Sequence, residues 1–94
     1  MILSFGDTET EKIWNQTLSK KLPKDIQPVM LRKLIIINRS QNLNDLKIPP
    51  GNKLEKMKGN LKNMYSIRIN DQWRILFKWE HNNAHEVIIT DYHK

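Results

Sequence analysis

Apolar and polar residues alternate most regularly between residues 64 and 80. In this stretch every second residue is large and apolar on either side of a polar segment, residues 70–72. The apolar positions are Tyr65, Ile67, Ile69, Trp73, Ile75, Phe77 and Trp79. A period of two is typical of strands with one buried face, so the pattern predicts a β-hairpin.

The composition of the two faces determines the register of this hairpin. A two-residue turn would mix apolar with basic side chains, whereas a three-residue loop keeps them apart. The apolar pairs are then Ile69 with Trp73, Ile67 with Ile75 and Tyr65 with Phe77. On the other face Arg68 lies opposite Arg74, with Lys78 further along. Like charges in such positions destabilise a strand pair, so we expect an anion among them, unless the long side chains extend into water.

Two helices are predicted before the hairpin, after a short strand at residues 2–5. Thr8 and Glu11 have the spacing of a capping box, and Pro23 ends the segment that follows. The second helix begins near Asp25 and runs to about Ser40. The apolar side of the first helix is Ile13, Trp14 and Leu18, and that of the second is Ile26, Met30, Leu34 and Ile37. Further apolar residues predict a second helix that is covered on most sides.

Residues 41–53 are predicted to be a linker, because their Pro-Pro-Gly-Asn sequence cannot continue a helix or a central strand. Its apolar residues, expected to hold it to the core, are Leu43, Leu46 and Ile48. Residues 54–58 and 86–91 are predicted strands, the second in an interior position of the sheet. The sequence therefore predicts an α+β fold in which two N-terminal helices pack on a small antiparallel sheet, as one domain over residues 1–94.

The amino-acid composition excludes several classes of function and of site. The chain of 94 residues has no cysteine, which excludes disulfides, thiolate catalysis and cysteine-ligated metals. It has no apolar run near the roughly 20 residues that a membrane-spanning helix needs, so we expect a cytoplasmic protein without a membrane partner.

Charge is concentrated in the middle of the chain. Residues 47–78 contain eight Lys or Arg against two acids, within a total net charge of +6. Because this segment contains the predicted strands, its basic residues are expected on one sheet face, where a polyanion such as nucleic acid, or an acidic protein, can bind. A solvated basic surface without a ligand is the simpler alternative.

Gly-rich phosphate loops, nucleophile motifs and metal-ligand clusters are absent from the sequence, and His81 and His85 have no metal-binding spacing, so no metal or cofactor is expected. The C-terminal Asp91-Tyr92-His93 follows the last strand and can be brought over the basic face. RNA cleavage without metal needs a base, cations for the developing phosphorane charge and an acid. His93 suits the acid or base, while a frayed tail is the alternative.

Several motifs resemble the HigB toxins of the RelE-like superfamily. They are Pro49-Pro50-Gly51-Asn52-Lys53-Leu54-Glu55, Lys58-Gly59-Asn60, the run from Tyr65 to Arg74, and Asp91-Tyr92-His93. The resemblance implies a RelE-like toxin fold and a metal-independent endoribonuclease that cuts messenger RNA on the ribosome. It also implies a HigA-type helix-turn-helix antitoxin as partner, through which the toxin reaches operator DNA.

The resemblance also implies site residues. By their positions in the motifs, the catalytic residues are Lys58, Arg74, Asp91, Tyr92 and His93. The residues expected to bind RNA are assigned by inference, not by the resemblance, and are Lys53, Lys56, Arg68 and Lys78. Some members have a catalytic histidine where this chain has Glu55, which is a possible acid or base but is predicted to point away from Lys58. Two alternatives remain open: a non-catalytic ParE-like toxin that binds a protein such as gyrase, and a non-toxic nucleic-acid-binding module.

Overall fold

The computed structural model describes residues 1–59 and 63–91. This part of the chain has helices α1 (Thr8–Trp14) and α2 (Gln27–Arg39), three short 3-10 helices (Lys24–Ile26, Leu43–Lys47 and Pro50–Asn52) and strands β1 (Glu55–Lys56), β2 (Met64–Arg68), β3 (Trp73–Glu80) and β4 (Asn83–Asp91). The strands form one antiparallel sheet in the order β1-β2-β3-β4. The α+β class is confirmed, and none of these helices has the length and apolarity to cross a membrane.

The β2–β3 hairpin has the predicted register. Ile67 pairs with Ile75, and Arg68 pairs with Arg74. The three-residue loop is closed by the Asn70 side chain, whose Oδ1 accepts hydrogen bonds from the amides of Gln72 (2.9 Å) and Trp73 (2.8 Å). Asx turns of this kind favour a fixed loop length, which in turn fixes the pairing of the strands.

Strand β4 is longer than predicted and has neighbours on both sides. It begins at Asn83 because His81 and Asn82 adopt left-handed backbone conformations (φ 52° and 61°), which close a tight hairpin with β3. On its other edge the predicted N-terminal strand contributes only two parallel bridges, from Ile2 to Ala84 and from Phe5 to Val87. The interior environment expected for β4 is therefore provided partly by the N-terminal segment, which precedes both helices.

Helix α1 is shorter than the sequence suggested, and its cap is a different residue. Asp7, not Thr8, is the N-cap, and its Oδ1 accepts a hydrogen bond from the amide of Thr10 at 2.8 Å. The helix ends in a Schellman motif, in which Gln16 is left-handed (φ 60°) and the Thr17 amide donates to the Lys12 carbonyl (2.8 Å). Leu18, predicted on the apolar side of this helix, consequently lies beyond it and is 56% exposed.

Helix α2 begins about two residues later than predicted and has three of the four predicted stripe residues, because Ile26 lies in the preceding 3-10 helix and is only partly buried. Pro28 lies in its first turn, and Met30, Leu34 and Ile37 are fully buried against α1 and the sheet. Ile35 is 37% exposed, so the expectation that the helix is covered on most sides is only partly met. The sheet supplies the other half of the core through Ile67, Ile75, Phe77, Val87 and their neighbours.

The predicted linker, residues 41–53, contains two short 3-10 helices. Asn42 and Asp45 form a capping box that starts the Leu43–Lys47 turn. Leu46 is fully buried, whereas Ile48, expected to hold the segment to the core, is 73% exposed. Strand β1 pairs only with Tyr65 and Ser66, so it is shorter than the predicted strand 54–58. Irregular structure of this kind comes from side-chain to backbone hydrogen bonds, which leave no periodic signal in a sequence.

Replacing Phe77 with alanine tests the core. The ring is fully buried between Tyr65 and Trp79, with centroids 6.4 and 6.2 Å away. The cavity left by Phe77→Ala should lower the free energy of unfolding by about 3–5 kcal/mol. Urea denaturation measures this loss, and Lys47→Ala, at an exposed position, is the control. Similar losses for both variants would contradict this description of the core.

Acid should destabilise the fold partly through Glu9. The Ser19 hydroxyl, which donates to Glu9 Oε1 at 2.6 Å, is the largest cause that lowers the pKa of this carboxyl below its usual 4.5. Desolvation opposes this shift, and Lys12 and Lys21 lower the pKa further. The resulting stabilisation is complete above the unfolded-state pKa and is lost as the pH falls through the lower folded-state pKa. Urea denaturation from about pH 6 to pH 2.5 should therefore give a shallower loss of stability for Glu9→Gln than for the wild type. Equal slopes would exclude the contribution of Glu9.

Candidate functional site

Arg74 lies at the centre of the candidate site, and it is buried. The residue is 6% exposed on β3. Its Nε donates to Ser66 Oγ at 2.9 Å, and its Nη2 donates to the carbonyl oxygens of Lys53 (2.6 Å) and Ser66 (3.3 Å). The sequence had predicted either an anion bound beside this cation or a side chain that extends into water. The structure instead holds the guanidinium by hydrogen bonds between β3, β2 and the residues that precede β1.

Glu55 is the acidic neighbour of this guanidinium. Its Oε1 lies 3.2 Å from Arg74 Nη2, and its side chain is 52% exposed against 7% for Arg74. Glu55 pairs with Ser66 across β1 and β2, which places it on the face that carries Arg74. The sequence had related Glu55 only to Lys58, so the pairing with Arg74 is a finding of the structure. A carboxylate that reaches both solvent and a buried cation can exchange a proton with a bound substrate.

The like charges that face each other across the hairpin are compensated by acidic side chains. Arg68 forms an ion pair with Asp71, and Arg74 forms one with Glu55. Further along the sheet, Lys78 lies 3.7 Å from Glu80. The sequence positions of Arg68 and Arg74 had suggested that an anion lies between them. Because each arginine has an acidic partner, their juxtaposition does not require one. The Arg68–Asp71 and Lys78–Glu80 pairs are at least partly exposed and contribute roughly 0–1 kcal/mol each, whereas the Arg74–Glu55 pair has a buried cation.

Three exposed lysines lie within three residues of Glu55 in the sequence. Lys53, Lys56 and Lys58 are all exposed. A surface depression of about 380 Å³ is lined by Glu55, Lys56, Met57 and Lys58. Glu55 thus belongs both to this depression, together with Lys58, and to the ion pair with Arg74.

The C-terminal candidates are only partly within the described residues. Asp91 ends β4, where it pairs with Trp73 next to the pairing of Arg74 with Thr90. Its Oδ2 accepts a hydrogen bond from Gln72 Nε2 at 3.0 Å. The hairpin loop thus helps to position the last residue of the sheet. Tyr92 and His93 lie outside the described residues.

Sequence reasoning missed the residues that hold Arg74 in place. Ser66 is fully buried and accepts from Arg74 with both its hydroxyl and its carbonyl oxygen. One feature of the sequence could have identified Ser66: it is a small hydroxyl residue on the basic face of a strand whose other residues are bulky. The contribution of Lys53 is a backbone carbonyl, presented by a left-handed conformation (φ 44°) that costs a non-glycine residue about 1–2 kcal/mol. The pattern of side chains in a sequence cannot predict the position of a backbone carbonyl.

A second depression lies between the end of α1 and the start of α2. It has a volume of about 360 Å³, and its lining is Ile13, Gln16, Thr17, Leu18, Lys24, Gln27, Pro28 and Leu31. This lining is mainly apolar, and Lys24 is its one titratable residue. It therefore lacks the pairing of acid and cation that acid–base chemistry needs, and the region around Arg74 is the better candidate for catalysis.

Ser66→Ala tests whether Arg74 depends on its buried acceptor. The variant removes the oxygen bound by Arg74 Nε, and an unpaired buried donor costs about 1–3 kcal/mol of unfolding free energy. Ser4→Ala is the matched control, because Ser4 Oγ accepts a hydrogen bond from the Glu86 amide at an exposed position. Urea denaturation should give the larger loss for Ser66→Ala, and equal losses would contradict the assignment.

Comparison with known proteins finds a matching family and similar proteins over most of the length of the chain. Residues 3–93 match the family described as RelE-like toxin of type II toxin-antitoxin system HigB. Toxin HigB-1 of Vibrio cholerae serotype O1 is 41% identical over 80 residues, which are 84% of this chain and 84% of that protein. An uncharacterized protein of Haemophilus influenzae is 39% identical over 85 residues, 90% of this chain and 74% of the relative. The YoeB–YefM complex from Staphylococcus aureus contains a chain with the same fold, at a TM-score of 0.59 and 22% identity, covering 100% of this chain and 99% of that one.

Proposed function

This chain belongs to the RelE-like toxins of the type II toxin–antitoxin system HigB, and we propose that it is a ribosome-dependent endoribonuclease that cleaves translated messenger RNA. Cleavage arrests protein synthesis in the bacterial cytoplasm and uses neither a metal nor a cofactor. The observation that carries the proposal is the guanidinium of Arg74, held by buried hydrogen bonds beside the Glu55 carboxylate.

The reaction is an attack of the ribose 2′-oxygen on the adjacent phosphorus. The bond from phosphorus to the 5′-oxygen of the next nucleotide breaks, leaving a 2′,3′-cyclic phosphate and a 5′-hydroxyl. A base takes the 2′-proton, an acid protonates the leaving 5′-oxygen, and cations stabilise the phosphorane between these steps. Arg74 and Lys58 supply the cations. Because the protein fixes the Arg74 guanidinium before RNA binds, the reaction need not reorient it.

The acid and base come from the C-terminal group and from Glu55. His93 transfers protons, Asp91 orients its imidazole, and Tyr92 stacks on a base or moves a proton. Glu55 is the further candidate for acid or base, supported by its position 3.2 Å from Arg74, where a phosphate bound to Arg74 would be within reach. The lysines and arginines that hold the RNA backbone are Lys53, Lys56, Arg68 and Lys78.

The partner that neutralises the toxin is a HigA-type helix-turn-helix antitoxin. Family membership supports this, as does the similarity to a chain that was solved in complex with YefM. The toxin reaches operator DNA through that antitoxin. Its substrate complex is the translating ribosome, which positions the messenger RNA that the small toxin could not orient alone.

Lys58→Ala tests the nuclease more cleanly than a change at Arg74, because Lys58 is exposed whereas Arg74 also holds the fold together. The wild type, Lys58→Ala and a chain lacking residues 92–94 are induced in bacteria, and messenger 5′ ends are mapped during translation. Cuts within translated codons should appear with the wild type and fall about 10²- to 10³-fold with either variant, the usual effect of removing a group that stabilises the transition state.

Lys47→Ala is the control for charge, since it removes an exposed lysine outside the site and should leave the cuts unchanged. Urea denaturation of each variant establishes that it is folded. Growth arrest with intact messages would overturn the proposal and direct attention to a protein target such as gyrase. Strong RNA binding without growth arrest would instead indicate a nucleic-acid-binding module.

A further inference from the structure

Asn52 is a fully buried polar residue in the segment before β1. Its side-chain Nδ2 donates to the carbonyl oxygens of Leu46 (3.2 Å) and Ile48 (3.3 Å). Its backbone N–H donates to the Pro49 carbonyl (2.9 Å). One side chain therefore ties together the backbone of residues 46–52, a segment without regular strand pairing. A buried amide with both ends satisfied fixes the local conformation strongly.

Lys33 connects this segment to helix α2. Its Nζ donates to Asn52 Oδ1, so the buried amide is bound on its acceptor side as well. Burial lowers the pKa of Lys33, and so do the neighbouring guanidinium groups of Arg32 and Arg68. The lysine thus lies in a position that is unfavourable for a cation, and its hydrogen bond to Asn52 is the compensating interaction.

The residue after Asn52 contacts the candidate site directly. Lys53 is left-handed (φ 44°, ψ 58°), and its carbonyl oxygen accepts the hydrogen bond from Arg74 Nη2 at 2.6 Å. Two residues further on, Glu55 lies beside the same guanidinium. The position of Arg74 relative to the sheet is therefore coupled to the conformation that Asn52 imposes on its own segment.

We propose that Lys33 and Asn52 are positioning residues, which act on cleavage by fixing the Lys53 carbonyl and, through it, the guanidinium of Arg74. The inference rests on the proposed nuclease function. Neither residue belongs to the set expected to contact RNA, since Lys33 lies on α2 and Asn52 is buried in the segment before β1. A displacement of about 1 Å in a catalytic group can lower a rate about 100-fold, so a loosened segment is enough to impair cleavage.

Kinetics of four variants on programmed translating ribosomes test the inference. Lys33→Met removes the hydrogen bond but keeps the length of the side chain, and should lower kcat about tenfold or more with KM unchanged within about twofold. Lys33→Arg restores a donor and should recover most of the activity. Arg32→Met removes an exposed charge from the neighbouring position of α2 and should change neither constant. Asn52→Asp, which keeps the acceptor for Lys33 but loses both amide donors, should reproduce the loss in kcat.

The NMR signal of the Arg74 Nε–H group gives a readout that does not depend on cleavage. In ¹⁵N-labelled protein this signal should shift and exchange faster in Lys33→Met than in Arg32→Met, while the remaining spectrum reports that the variant is folded. If the wild type cuts no RNA, the nuclease proposal fails while this signal still tests the coupling. An unchanged signal and an unchanged kcat in Lys33→Met would overturn the inference. A raised KM with a weaker salt dependence would do the same, because it would make Lys33 an RNA contact.

Discussion

The buried guanidinium of Arg74 is the interaction on which this side of the molecule depends. Desolvating a cation costs several kcal/mol unless its donors are satisfied, and the structure satisfies them with Ser66, the Lys53 carbonyl and Glu55. These partners come from β2, from the segment that precedes β1 and from β1 itself. Because β1 has only two paired residues, its backbone pairing is slight, and the contacts with Arg74 help to hold it at the sheet edge. The same contacts that fix the edge strand thereby fix the cation of the candidate site.

The negative charge of Glu55 lies within a strongly basic surface and would repel an RNA phosphate. It is the single acidic residue between Leu46 and Asn70 in the sequence, and its carboxylate lies beside the cation that an RNA phosphate would approach. A phosphate must compete with it, but half of the carboxylate side chain is exposed, so water screens the repulsion. In the proposed reaction, Glu55 is a candidate proton acceptor next to the fixed cation. This arrangement fits a nuclease that relies on the ribosome for substrate affinity better than one that must capture free RNA.

Most of the correct predictions came from the regular spacing of apolar residues in the sequence. The β2–β3 register followed from two apolar faces, and the α2 stripe followed from helical spacing, because burial imposes both patterns. The end of α1 was missed since its left-handed residue is Gln16 rather than the usual glycine, and the cap was shifted by one residue because Asp7 and Thr8 are both good N-caps.

Alternation along β3 correctly placed Arg74 on the face opposite the apolar core, but it could not tell how deeply the side chain is buried. Depth depends on β1 and on the Lys53 carbonyl, which become neighbours only in the folded chain. The resemblance to HigB toxins identified candidate residues that periodicity alone could not, whereas the support from Ser66, Asn52 and Lys33 required the structure.

The chemistry of the cut ends tests the central claim most directly. If Arg74 and its neighbours stabilise attack by the ribose 2′-oxygen, messages cut on ribosomes by the purified toxin will carry a 2′,3′-cyclic phosphate, or the 3′-phosphate formed from it, upstream of the cut. The downstream fragment will begin with a 5′-hydroxyl, which polynucleotide kinase can label without prior phosphatase treatment. Fragments with a 5′-phosphate and a free 3′-hydroxyl would contradict the account, because those ends require attack by water instead of the 2′-oxygen.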